Sequence, residues 1–141
     1  MATVLRKALP RDLTLILDDD GSRTLMGRRA MSRLLAAIDD GALTAETDGS
    51  VIAVGGAVPT GAAGWLEIWF AVTVKSASAP VALVRAMRTA LDQFMLRAAI
   101  GVCCFVRGDV SARLVRLCGF SPVVSTDDGF WLFAKARACP A

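Results

Sequence analysis

Residues 65–74, WLEIWFAVTV, are the most apolar strand-forming run in the chain, interrupted by a single charge at Glu67. Such a run suits the middle of a sheet buried on both faces. Its flanks constrain the fold further. Upstream, 42–46 and 51–58 read as a hairpin around Asp48-Gly49-Ser50, with Gly55-Gly56 marking a bulge or a close backbone approach. Downstream, Ala79-Pro80 opens a long helix, since proline is tolerated in a first turn. Strands and helices therefore share one core, built around the 65–74 strand.

The remaining elements follow from periodicity and breakers. Residues 3–8 read as a strand ended by Pro10, and Leu13, Ile16 and Leu17 recur at helical spacing before the polar break at 18–22. A second helix is expected from about Thr24, with Met31, Leu34, Leu35 and Ile38 as its apolar stripe and Arg28, Arg29 and Arg33 on the wet side. Asp39-Asp40-Gly41 ends it. The helix after Pro80 should bury Val84, Met87, Leu91, Phe94 and Met95, with Arg88 and Asp92 on the other side. Residues 99–106 form a buried strand. Asp109 is expected to N-cap a short helix with the stripe Val110, Leu114 and Leu117, stopped by Gly119. Strands 122–125 and 130–136 close the chain. The expected class is a three-layer α+β fold, a largely antiparallel sheet of six or seven strands with about four helices, in the order β-α-α-β-β-β-α-β-α-β-β.

At 141 residues this is one domain, 1–141, large enough for a proper core. With 55% apolar and 21% charged residues the chain is no disordered segment. No apolar run reaches the ~18 residues of a membrane span, so no membrane partner is expected. The opening MATVLRKALPRDL lacks a signal peptide's apolar core, and a cytoplasmic, bacterial location is expected. The net charge of +3 is too small to call for a nucleic acid, and the arginines are not interleaved with aromatic residues. Cys103, Cys104, Cys118 and Cys139 show no Cys-x-x-Cys spacing, and histidine is absent, so free thiols and no metal are expected.

The element order, the helix 110–120 (VSARLVRLCGF) ending in Gly119-Phe120, and the segment 74–90 (VKSASAPVALVRAMRTA) together resemble the GNAT N-acetyltransferase superfamily. A narrower resemblance is to the GNAT-like proteins of tailed bacteriophages and prophages, the internal virion protein type. It rests on Trp65-Leu66-Glu67-Ile68-Trp69, on Arg85 and Arg88, and on Arg113, Arg116, Gly119 and Phe120.

The resemblance implies an acetyl-CoA site at the N-terminus of the long helix, where free N–H groups and the helix dipole favour phosphate. The implied cofactor residues are Val72, Val74, Lys75, Ala79, Ala82, Leu83, Val84 and Arg85. The family pattern there is Arg/Gln-x-x-Gly-x-Gly/Ala. This chain has Ala79, Ala82 and Val84 at the three marked positions, and Pro80 removes a donor. Lys75, Ser76 and Ser78 could supply compensating contacts, Ser78 alternatively being a simple helix cap. The family's acidic tyrosine falls at Val115, and the chain has no tyrosine. Glu67 stands where the family often keeps a general base, and Cys104 is a poorer nucleophile for want of a base. Trp65, Trp69 and Trp131 could line a groove or pack in the core. The helix arginines could meet an acidic partner or form a solvated face.

Two functions follow. One is a GNAT-like domain with a degenerate CoA loop, a non-catalytic structural or interaction component of a phage or phage-like particle, partnered by other virion proteins. The other is a CoA-dependent N-acetyltransferase acting on an amine, with Glu67 as base.

Overall fold

The computed structural model describes residues 3–18, 23–26 and 38–138. Among the described residues, eight strands form one sheet. Seven run in the order β1-β3-β4-β5-β6-β8-β7, and β2 pairs with β5 beside that path. The strands are β1 (Thr3–Lys7), β2 (Arg23–Met26), β3 (Leu43–Thr47), β4 (Ser50–Pro59), β5 (Trp65–Val72), β6 (Gly101–Val106), β7 (Ser121–Ser125) and β8 (Trp131–Ala136). The described helices are α1 (Pro10–Asp18), α2 (Pro80–Arg97) and α3 (Asp109–Leu117), with a 3-10 turn at Val74–Ser78. Every pairing is antiparallel except β5–β6, which is parallel.

The expected hairpin is β3–β4. Asp48 and Gly49 both have positive φ, 51° and 79°, the two-residue turn whose twist matches the strands it joins. Gly55 and Gly56 mark a close approach and not a bulge. A Cβ on either would fall within 2.7 Å of the Phe70 or Trp69 ring lying across it on β5. The register shift lies further along the hairpin, between Ala45 and Glu46 on β3.

Alternation along β5 divides the core. Ile68, Phe70 and Val72 face α2 and α3, packing with Leu83, Met87, Leu91 and Phe94. Trp69 and Ala71 face the other way, onto Leu13 and Ile16 of α1 and onto Ile38. Trp69 is therefore a core residue, and Trp131 is half exposed at the sheet's far end.

Four expectations change. The segment from Thr24 begins as a strand and not a helix, and Arg28, Arg29, Met31, Arg33, Leu34 and Leu35 lie outside the described residues. The central strand ends at Val72, so Val74 belongs to the 3-10 turn. On α2 it is Leu83 and not Val84 that enters the core. On α3 the buried face is Ser111 and Val115; Val110 and Leu117 are 59% and 56% exposed, and Gly108 rather than Asp109 is the N-cap.

The C-terminus of α3 is held by side chains from elsewhere. Arg88 donates twice to the Leu117 carbonyl, at 3.1 and 2.6 Å, and Lys135 donates to that of Cys118. Cations there satisfy orphan carbonyls and favour the negative end of the helix dipole. Arg88, one of the arginines expected on a solvated face, thus fastens α3 to α2. Arg88→Ala is expected to cost about 1 kcal/mol in urea unfolding, with Arg85→Ala close to neutral.

Candidate functional site

The two halves of the expected site lie on opposite faces of the sheet. Val72 shares its parity with the residues under α2, whereas Glu67 shares its parity with Trp69 and Ala71 on the α1 side. A molecule touching both must pass between β5 and β6. These strands pair only from Trp65–Gly101 to Glu67–Cys103 and then part, β6 continuing along β8 to Val106.

β2 sits in that opening. Arg23 pairs with Val72, Thr24 with Ala71 and Met26 with Phe70, and β2 also lies against β6 and α3. On its other side β5 is paired with β4, Val72 standing opposite Ala53, and the Thr73 N–H donates to the Ile52 carbonyl. Alternation of the antiparallel ladder then turns the amides of Val72 and Phe70 toward β2. The far end of β5 has a strand on each side.

At the head of α2 the N-cap is Ala79, with no side-chain hydrogen bond to the helix. Ser78 is not the cap: its hydroxyl donates to the Lys75 carbonyl at 2.8 Å. Lys75 reaches the Ser50 hydroxyl at 3.2 Å, and Ser76 is buried. Leu83 is in the core. Ala82 and Arg85 line a hollow against β1, beside Thr3 and Leu5. Val84 instead lines a different, apolar cleft of about 310 Å³ between α2 and α3, with Leu114, Arg113 and Ser76. The loop residues thus diverge into two separate depressions. Val115, at the position of the family's tyrosine, is fully buried. Around the head of α2 thus stand a β-branched side chain in the α2–α3 cleft, a proline at the first helical position and a β5 edge already paired.

Glu67 is placed differently. It is 5% exposed and forms part of a cleft of about 580 Å³ on the sheet face that α1 leaves uncovered. Trp65 lies on the same strand, Cys103 and Phe105 on β6, Leu132 on β8 and Val123 on β7. Glu67 and Cys103 are register partners. Cys104 points the other way into the core, where burial, reinforced by Cys103, Cys118 and Glu67, pushes its thiol far up, so it is no nucleophile. Among the described residues no group of three or more His, Cys, Asp or Glu could hold a metal, and no helix is long and apolar enough to cross a membrane.

One polar cluster carried no signal in the sequence reading. Asp12, 1% exposed at the third position of α1, accepts both Arg6 guanidinium N–H groups at 2.8 Å, the Leu9 N–H at 2.7 Å and the Thr44 hydroxyl at 2.9 Å. Arg6 also donates to Glu46 at 2.8 Å. The cluster ties β1, β3 and α1 together, away from the Glu67 cleft.

Among solved structures, the chain superposes on the phosphinothricin acetyltransferase of Sinorhizobium meliloti in complex with AcCoA. The TM-score is 0.70 at 11% identity, over 96% of this chain and 89% of that one. It superposes on Ard1 from Thermoplasma volcanium with a TM-score of 0.71 at 15% identity, over 98% and 99% of the two chains. For the ribosomal-protein-S18-alanine N-acetyltransferase of Escherichia coli the TM-score is 0.70 at 13% identity, over 99% and 97%. The fold is the GNAT acetyltransferase fold. No family model and no curated protein sequence matches the chain. The GNAT fold therefore accounts for nearly the whole chain, and β2 lies where β5 and β6 part.

Proposed function

We propose that this chain is a GNAT-fold domain whose cofactor cleft is closed by its own β2, and that it works by binding rather than by efficient acetyl transfer. The observation that carries this reading is the pairing of Arg23–Met26 with β5, which occupies the strand edge next to Val72. The losses at Ala79, Ala82 and Val84 and the burial of Val115 point the same way. The partner is then another protein, and the resemblance to internal virion proteins makes a phage-like particle the setting we favour.

The second reading, a CoA-dependent N-acetyltransferase acting on an amine, is favoured by one observation: Glu67 lies inside an open cleft of the fold. For that reading β2 would have to leave β5.

Calorimetry with acetyl-CoA separates the two. No saturable heat is expected from the wild type at millimolar ligand. Saturable binding by the wild type, with acetyl transfer lost in Glu67→Gln, would establish the second reading. Binding that appears only in Arg23→Pro, which removes a β2 donor, would assign the closure to β2.

A further inference from the structure

The strand path ends at β7 on one side and at β1 on the other, and the two margins are built differently. β7 carries Pro122 and a register shift between Pro122 and Val124, both of which blunt an edge against further pairing. β1 has neither, and among the described residues it pairs with β3 alone. The Ala8 N–H donates to the Ala42 carbonyl, and the register runs on in phase through Arg6–Thr44 and Val4–Glu46. Alternation then turns the backbone groups of Thr3, Leu5 and Lys7 away from β3, onto the open edge. Beside that edge lies a hollow of about 540 Å³, walled by Thr3 and Leu5 on β1 and by Ala82, Arg85, Ala86 and Thr89 on α2. No residue of β3 or β4 lines it, so it opens at the margin of the sheet and not beneath its middle. Arg85 is the one charged residue lining it. Arg85 is exposed and stands outside the ion pairs of the described residues, which Arg6 makes with Asp12 and Glu46. The hydroxyls of the hollow are already engaged, Thr3 with Thr47 and Thr89 with the Arg85 carbonyl.

A bare strand edge beside a pocket is the geometry of strand addition, in which main-chain hydrogen bonds hold the incoming segment and the pocket reads alternate side chains. Residues two apart on that segment face the same way, so one enters the hollow while the next meets Arg85. The charges choose the occupant. A second copy of the chain would bring a second Lys7 and a second Arg85 to this edge, with no acid among the walls of the hollow to offset them. We propose that β1 accepts an extended acidic segment of a partner protein as an added strand, an apolar side chain of it lying beside Ala82 and Ala86 and a carboxylate on Arg85. The inference goes beyond the closed-cleft reading and does not depend on whether CoA binds, because β1 lies three strands from β5.

The test is calorimetry on the full chain with the end-blocked peptide Thr-Val-Thr-Glu-Thr-Val as probe. Saturable binding in the submillimolar range is expected, and the same peptide with lysine for its glutamate should bind about fivefold more weakly. Arg85→Glu, at an exposed position, should reverse that preference without changing the melting temperature. Of two N-methylated probes, one blocked at the threonine amides and one at the valine and glutamate amides, a single one should lose binding, since an added strand turns alternate amides to its neighbour. Exchange of the Leu5 amide should slow about tenfold or more in the complex, while that of Arg6, turned to β3, stays as it was. No saturable binding to the folded wild type would overturn the proposal. So would an unreversed preference in Arg85→Glu, equal behaviour of the two N-methylated probes, or an unchanged Leu5 amide. A dimer in sedimentation that the peptide dissociates would place a second copy on the edge and overturn the acidic partner. Acetyl-CoA is titrated separately. Binding there overturns the closed cleft and leaves the peptide result standing.

Discussion

Asp12→Ala lowers the stability of this protein by about 3–5 kcal/mol, the cost of breaking a buried ion pair by removing one partner. The arginine left behind has Glu46 but loses its bidentate partner, and the Leu9 N–H and Thr44 hydroxyl lose their acceptor. The Leu9 amide stands at the entry to α1, where a carboxylate at the third helical position reaches back to it, half of a capping box. Burial alone would push the Asp12 carboxyl up. The hydrogen bonds from Arg6, Leu9 and Thr44 outweigh it, helped by the Arg6 charge, and hold it below the usual carboxylate range. Its stabilisation is therefore fully present above the unfolded-state pKa of about 4 and is lost as pH falls through the lower folded value. Asp12→Asn keeps the shape and gives up the charge. Urea unfolding from pH 7 down to pH 3 is expected to show the gap between wild type and Asp12→Asn narrowing with acid. A constant gap would mean that the carboxylate's charge contributes nothing.

Gly101→Ala is the second large effect. Gly101 opens β6 between Trp65 of β5 and Ala136 of β8. A Cβ there would lie 2.5 Å from the Lys135 carbonyl oxygen, 2.9 Å from the Ala136 Cα and 2.8 Å from the Trp65 ring. Two of those three atoms are backbone, so a rotamer change cannot relieve the clash; β6 and β8 must separate. Overpacking of this kind costs about 3 kcal/mol, roughly 10 °C in melting temperature for a chain of this size. Gly61→Ala is the control, because nothing lies within 4 Å of the Cβ it would add. A Gly101→Ala melting temperature within a degree or two of that control would contradict the packing described for β6.

The parts of the fold readable in the sequence are those whose signal is local. Pro80 marks the start of α2, Asp48-Gly49 the hairpin turn, and the apolar run at 65–74 the strand at the centre of the sheet. The unread parts depend on contacts between distant segments. On α3, Val110–Leu114–Leu117 and Ser111–Val115–Cys118 have the same spacing, and only the Arg88 and Lys135 bonds with the packing on β6 and β8 decide which face turns inward. β2 is four residues long, too short for a period to show, and it exists as a strand because β5 offers an edge where β6 departs. Arg6, Asp12 and Thr44 come from three elements and form no linear motif. Glu67 was legible because a lone charge in an apolar strand is conspicuous. Its Trp65–Phe105 surroundings required the parallel pairing of β5 and β6.

Hydrogen exchange at the β5 amides tests the closed cleft most directly. The amides of Val72 and Phe70 face β2, and that of Ala71 faces β4 in the interior of the sheet. If β2 closes the cleft, all three exchange slowly in the free protein, and millimolar acetyl-CoA changes none of them. Rapid exchange at Val72 and Phe70 that slows when acetyl-CoA is added would show an open edge waiting for its ligand, and would contradict the account.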